Sequence, residues 1–190
     1  MRRSIIQSAA ALLAVTALLV AGLVALQKGS AGGTREAAGS ATGTSTSEAP
    51  VTGRPDCPAG SVGGVDLGCL GGAEGASGES ELTVVNLWAW WCEPCRGELP
   101  IVGQFADAHP EYTVVGVHAD PSASRGAALL DELGVDLPSY QDDDNRFAGA
   151  LGLPGVVPLT VVIRDGKQVA TFPRVFHSVA ELEQAVGGAA

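Results

Sequence analysis

The stretch NLWAWWCEPCRGELP, Asn86 to Pro100, decides the fold because it joins an apolar segment to a Cys-x-x-Cys pair. The overlapping run LTVVNLWAW is apolar, β-branched and aromatic, which is typical of a buried strand. From Cys92 onward, CEPCRGELPIVGQFADAH predicts a helix despite Gly97 and Pro100. The two cysteines therefore lie where a strand ends and a helix begins. They could bind a metal, form a structural disulfide or act as a redox pair.

The position of Cys92 favours redox chemistry. A thiolate there would meet the unpaired N–H groups and the positive dipole end of the helix. A cysteine with a pKa of about 8.5 is only about 3% thiolate at pH 7, whereas one with a pKa of about 7 is half ionised. We predict that Cys92 is the attacking sulfur and that Cys95, one turn on and less exposed, resolves the mixed disulfide. Pro94 suits the first helical turn, where its missing N–H costs nothing.

The N-terminus predicts export. Arg2 and Arg3 precede an apolar run from Ile5 to Leu26, which as a helix would be roughly 33 Å long and could cross a bilayer. We predict a single-pass signal-anchor over residues 1–26. Its N-terminus stays on the cytoplasmic side of the cell membrane, and the rest of the chain lies on the extracytoplasmic side. A cleaved signal peptide, which would leave a secreted or periplasm-like domain, is the alternative.

Residues 27–56 are rich in Gly, Ala, Ser and Thr and predict a flexible linker, because they contain few large apolar side chains. Residues 57–190 form the predicted folded domain. The formal net charge of −10 indicates a well-solvated acidic surface that would repel nucleic acid. The same surface would repel anionic lipid headgroups, so we expect membrane contact through the N-terminal segment alone.

The remaining elements of the domain follow from local patterns. EYTVVGVHA predicts a second buried strand, PSASRGAALLDELGV a helix, LPSYQD a short strand and DNRFAGALGL a short helix. PLTVVIRDGKQVATFP predicts a hairpin around Asp165-Gly166, and HSVAELEQAVGGA a closing helix with Ser178 as a cap. The order predicts a parallel βαβ unit followed by an antiparallel hairpin.

The other two cysteines, Cys57 and Cys69, are twelve positions apart, which does not match the paired short spacings of a zinc ribbon. An isolated even pair in an exported domain usually forms its own bridge, so we predict a structural disulfide worth roughly 3 kcal/mol. A second redox pair that passes electrons to Cys92 and Cys95 is the alternative. A staple within Cys92–Cys95 is disfavoured because closing a short loop stabilises little.

The segment VVNLWAWWCEPCRGELP resembles the active-site segment of extracytoplasmic thioredoxin-like proteins of the TlpA/ResA type. The resemblance extends from Leu82 to about Val186. It implies an α/β thioredoxin-like fold, in which a central mixed β-sheet is flanked by helices. It also implies a membrane-tethered thiol-disulfide oxidoreductase, and many such proteins are reductants in cytochrome c maturation.

The resemblance assigns roles to four more residues. Glu98 matches a carboxylate that lies near the sulfurs and handles protons during exchange. Pro158 matches a cis proline that faces the Cys-x-x-Cys pair and holds the Val157 backbone against the substrate cysteine. Trp91 matches a residue that flanks the attacking sulfur. Trp90 departs from the pattern, since a small residue is usual at its position.

The histidines and the acidic run are weaker signals. We expect His109, His118 and His177 to be surface or capping residues rather than metal ligands. Asp142-Asp143-Asp144 predicts a solvated turn, because the spacing of a calcium-binding EF-hand loop is missing.

The sequence thus predicts a thiol-disulfide oxidoreductase that needs no cofactor and no metal, because sulfur carries the two electrons. Its predicted partners are a protein thiol or disulfide substrate and a separate membrane redox partner. Reduction of apocytochrome c and oxidation of exported proteins are both open, as is a copper(I)-binding metallochaperone built on the same two sulfurs.

Overall fold

A computed structural model describes residues 50–76 and 80–189 of the chain. The strands are β1 (Gly68–Cys69), β2 (Leu82–Trp88), β3 (Thr113–His118), β4 (Ser139–Gln141), β5 (Leu159–Arg164) and β6 (Lys167–Phe172). The helices are α1 (Glu93–Ala108), α2 (Ala123–Leu133), α3 (Arg146–Leu151) and α4 (Val179–Ala189). The predicted signal-anchor and residues 27–49 of the predicted linker lie outside the described residues.

The strands form one mixed sheet in the order β1-β4-β3-β2-β5-β6. Strands β2, β3 and β4 run parallel, whereas β5 is antiparallel to β2 and β6 is antiparallel to β5. The predicted βαβ unit and C-terminal hairpin are confirmed. At the hairpin turn, Asp165 and Gly166 both have positive φ, 50° and 71°, which explains the Asp-Gly sequence.

Alternation along β2 divides the core into two layers. Val84 and Trp88 face the layer built with Leu99 of α1, whereas Val85 and Leu87 face the layer built with Phe147 of α3. Helices α2 and α4 contribute to the first layer. Helices therefore pack on both faces of the sheet, as the sequence predicted.

The folded domain includes Arg54, which lies before the predicted domain boundary at Cys57. The Arg54 side chain is buried, forms an ion pair with Asp131 of α2 and donates a hydrogen bond to the Val135 carbonyl oxygen. Its backbone N–H donates to the Gly71 carbonyl. Arg54, which the sequence placed in the flexible linker, is thus part of the folded domain.

Two residues predicted to lie at the surface, His118 and Asp142, are buried, whereas Asp143 and Asp144 form the exposed turn that the sequence predicted. His118 is fully buried, and its ring packs against that of Trp88 with centroids 4.6 Å apart. Asp142 is also buried, because its carboxylate accepts the backbone N–H groups of Arg146 at 2.8 Å and Phe147 at 2.9 Å at the start of α3. Local sequence did not reveal that β4 carries Asp142 inward to cap this helix.

Candidate active site

Cys92 and Cys95 form a disulfide at the N-terminus of α1, with Cα atoms 5.2 Å apart. Cys92 is the N-cap residue, and its Sγ accepts the backbone N–H of Cys95 at 3.2 Å. Both residues are buried, Cys95 completely and Cys92 with 4% of its surface exposed. After reduction, the same N–H and the helix dipole would stabilise a thiolate on Cys92.

Glu98 lies one turn after Cys95 and has no solvent-exposed surface. Its Oε2 accepts a hydrogen bond from Asn86 Nδ2 at 3.0 Å, and its Oε1 accepts the backbone N–H of Phe176 at 2.8 Å. Burial raises the pKa of the Glu98 carboxyl, although these hydrogen bonds and the nearby His177 act in the opposite direction. A raised pKa makes the Glu98 carboxylate a better proton acceptor than an ordinary glutamate.

Sequence reasoning missed Asn86 and Phe176 as the partners of Glu98. Asn86 lies in the middle of an otherwise apolar strand, on the same face as Val84 and Trp88, which is the face that packs on α1. A polar side chain in such a strand needs a buried partner, and this was the available signal. Phe176 gave no signal because it contributes only its backbone N–H.

The Val157–Pro158 peptide bond is cis, as the resemblance implied. Val157 lines a groove of about 460 Å³ together with Trp91. Trp91 is 57% exposed, so the groove is open to solvent along the wall that Trp91 forms. The structure therefore brings the residue before the cysteines and the residue before the cis proline to the same surface.

Asp120, which follows β3, was also missed by sequence reasoning. Its two carboxylate oxygens accept the indole N–H groups of Trp90 and Trp91, each at 3.0 Å. Burial alone would raise the pKa of Asp120, but the hydrogen bonds from Ser122 N–H and both indoles outweigh it and hold that pKa below its ordinary value. Trp90 is therefore a partner of Asp120, and the guanidinium of Arg125 lies 4.4 Å from its ring centroid.

Cys57 and Cys69 form the predicted disulfide, with Cα atoms 5.6 Å apart. Cys57 is buried in the core layer that contains Phe147, whereas Cys92 and Cys95 belong to the layer on the other face of the sheet. Sulfurs on opposite faces of a sheet do not meet. The arrangement therefore opposes direct electron transfer between the two pairs, because exchange needs contact between sulfurs.

Residues 50–76 and 80–189 show neither a metal-ligand cluster nor a membrane-spanning helix. No group of three or more His, Cys, Asp and Glu side chains in these ranges is placed to hold a metal ion. Across the same ranges, no helix combines the length and hydropathy of a membrane span. His109, at the end of α1, pairs instead with Glu111 and Glu183.

Comparison with known proteins supports the resemblance. No family model matches the chain. The thiol-disulfide oxidoreductase ResA of Bacillus thuringiensis (strain Al Hakam) is 26% identical over 88 residues, which are 45% of this chain and 50% of that protein. The chain thus spans about half the length of the curated relatives it matches first.

Solved structures match more of the domain. MTB DsbF, solved in mixed oxidized and reduced forms, has a TM-score of 0.57 and 26% identity, covering 65% of this chain and 93% of that one. A secreted disulfide oxidoreductase of Mycobacterium tuberculosis, homologous to E. coli DsbE, has a TM-score of 0.55 and 25% identity over 64% of this chain and 93% of that one.

The sheet order and the cysteine pair at the start of α1 define a thioredoxin-like protein. Within that class, the relatives confirm the resemblance of this chain to the TlpA/ResA type of thiol-disulfide oxidoreductase.

Proposed function

We propose that this protein catalyses thiol-disulfide exchange with cysteines of other proteins outside the cytoplasm. The observation that carries the proposal is the Cys92 sulfur, which caps α1 and is joined to the buried sulfur of Cys95. A sulfur in this position is stabilised as a thiolate and as a leaving group, and both properties speed exchange.

In the reductive direction, the Cys92 thiolate attacks one sulfur of a substrate disulfide. The substrate S–S bond breaks, and the departing sulfur leaves as a thiolate and takes a proton. Cys95 then loses its proton, and its thiolate attacks the Cys92 sulfur of the mixed disulfide. The second substrate sulfur is released, so two electrons have passed from the two enzyme thiols to the substrate.

We assign Glu98 the role of accepting the Cys95 proton during the resolving step. Cys95 and Glu98 lie one turn apart on α1 and are both fully buried, so bulk water is a poor proton acceptor there. A carboxylate whose pKa burial raises is a better one. The backbone at Val157, before the cis Pro158, is the proposed contact for the substrate chain, with Trp91 beside it.

The proposed physiological direction is reduction, with apocytochrome c cysteines as one substrate class. Strong oxidants of this fold owe their potential to a stabilised reduced form. Here the buried Glu98 and the exposed Glu93 place negative charge near the sulfurs and oppose a thiolate. That charge favours the oxidised enzyme, and hence electron donation to the substrate.

We further propose that residues 1–26 attach the domain to the membrane and that the linker after them acts as its tether. A separate membrane protein would then restore the Cys92 and Cys95 thiols. The apolar run after Arg2 and Arg3 supports the attachment, and a neighbour described as secreted supports the location outside the cytoplasm.

The test is the reduction potential of the Cys92–Cys95 pair in glutathione and dithiothreitol buffers, together with turnover of a disulfide peptide. A potential below about −200 mV with turnover is expected for a reductant, whereas a value near −120 mV would indicate an oxidase. Stoichiometric copper(I) binding without any exchange would instead support a metallochaperone and reject the proposal.

A further inference from the structure

The tryptophan that flanks Cys92 is held in place by a carboxylate from another part of the chain. Asp120 follows β3, some thirty residues after the tryptophans, yet it binds Trp90 and Trp91 with one oxygen each. A partly exposed indole would otherwise rotate about two side-chain torsions. The double hydrogen bond fixes both rings relative to β3 and to each other.

Asp120 is itself positioned by several contacts. Its carboxylate accepts the backbone N–H of Ser122 at 2.8 Å, and its backbone carbonyl accepts Gln141 Nε2 at 2.6 Å. Gln141 in turn lies with Oε1 2.9 Å from Nδ1 of the buried His118. Contacts from β3, β4 and the residue before α2 therefore hold Asp120 in place, and Asp120 in turn orients the Trp91 ring.

The fixed Trp91 ring forms one wall of the groove that also contains Val157. The other lining residues are uncharged and mostly apolar, and include Leu87, Ala119, Pro154 and Val156. Val156 is 48% exposed and Trp91 57%, and these are two of the three large apolar side chains that the described surface exposes to this degree. In a chain with a net charge of −10, an uncharged groove lined by the residue that precedes Cys92 is suited to an apolar occupant.

We propose that Asp120 is a positioning residue for substrate selection: by holding Trp91 as a fixed wall, it makes the groove accept an apolar side chain adjacent to the substrate cysteine. This inference rests on the proposed exchange activity. The substrate cysteine must reach Cys92, so the residues beside it lie against Trp91 and Val157. A wall that is already fixed in place loses little entropy when an aromatic or aliphatic side chain packs against it.

The experiment compares three symmetric peptide disulfides. In the first, phenylalanine precedes the cysteine; in the second, phenylalanine follows it; in the third, glycine takes both positions. Symmetric dimers present the same sequence whichever sulfur is attacked. We measure kcat/KM of the reduced full-length protein for each dimer and take the ratio of the phenylalanine to the glycine value. A general loss of activity cancels in this ratio.

The wild-type protein is expected to prefer a phenylalanine dimer roughly tenfold, the effect of removing about half of that side chain from water. Asp120→Asn leaves one indole N–H without an acceptor and should lower the ratio below about threefold, as should Trp91→Ala at its exposed position. Asp136→Asn removes the same charge from an exposed position and should keep the tenfold ratio.

The outcomes separate the two proposals. If the wild-type protein reduces none of the dimers, the proposed function fails. Equal wild-type rates with phenylalanine and glycine, or a full preference retained by Asp120→Asn, overturn the inference about Asp120 while the proposed function stands. The indole N–H proton signals provide a second readout, since those of Trp90 and Trp91 should shift in Asp120→Asn and that of Trp88 should not.

Discussion

Asn86 of β2 donates a hydrogen bond to Glu98 of α1, 3.0 Å from Nδ2 to Oε2, at a place where neither side chain has exposed surface. A buried carboxylate is costly unless its oxygens are hydrogen-bonded, and here each oxygen has an N–H donor. The strand thus holds an ionisable group in the core, one helical turn after the buried Cys95. This relationship is the basis of two of the predictions below.

Cys92→Ser should abolish disulfide exchange, and Cys95→Ser should accumulate a mixed disulfide with the substrate. The reason is that Cys92 caps α1 and receives the Cys95 N–H, whereas Cys95 has no exposed surface. Non-reducing gel electrophoresis and mass spectrometry detect the trapped species. Full turnover by Cys95→Ser, with no trapped adduct, would show that these roles are wrong.

The Cys57–Cys69 disulfide should stay oxidised at potentials that reduce Cys92–Cys95. Cys57 is buried on the other face of the sheet, away from the reactive pair. Thiol trapping with mass spectrometry across a series of redox buffers measures both pairs at once. Replacing Cys57 and Cys69 by alanine should lower the free energy of unfolding by roughly 3 kcal/mol. Joint reduction of both pairs in one step would favour the electron relay.

Glu98→Gln should lower the apparent pKa of the active-site thiols by about one unit and slow exchange near neutral pH. Removing the buried negative charge makes a thiolate less costly, but it also removes the proton acceptor of the resolving step. The rate of thiol alkylation against pH measures the first effect. Glu93→Gln is the matched control and should shift the curve less, because its charge is exposed to solvent. Superimposable curves for wild type and Glu98→Gln would assign Glu98 a structural role only.

Glu98 should also make the domain less stable as pH rises. Burial raises its pKa in the folded state above the unfolded value of about 4.3, so the folded state binds more protons between the two pKa values. The free energy of unfolding therefore falls with rising pH across that window. Above the window, the ionisation of Glu98 no longer changes the free energy of unfolding. Urea unfolding of wild type and Glu98→Gln across this pH range measures the difference. Parallel pH dependences for the two proteins would contradict the raised pKa.

Gly126→Ala in α2 should destabilise the domain by about 1–3 kcal/mol, although alanine favours helices. A Cβ atom at Gly126 would lie 2.8 Å from ring atoms of the buried His118, which has little room to move. Gly97→Ala in α1 is the matched control, because a Cβ there meets nothing within 4 Å. The control should gain up to about 1 kcal/mol. Thermal unfolding of both variants measures the contrast, and equal effects would show that His118 adapts.

The sequence by itself determined the local elements and predicted the chemistry of the site. Apolar runs predicted β2 and β3, Asp165-Gly166 predicted the hairpin, and the Cys-x-x-Cys spacing at a strand-to-helix junction predicted the reactive pair. Each of these signals is contained within a few consecutive residues, where backbone preferences and side-chain periodicity act directly.

Only the tertiary structure decided which distant residues meet. The sheet order places Asn86 against Glu98, moves His118 into the core and brings Asp120 to Trp90 and Trp91. These contacts depend on the crossovers between strands and on how each helix lies on the sheet. A short window of sequence contains neither, so the buried partners of the site appear only when the chain is folded.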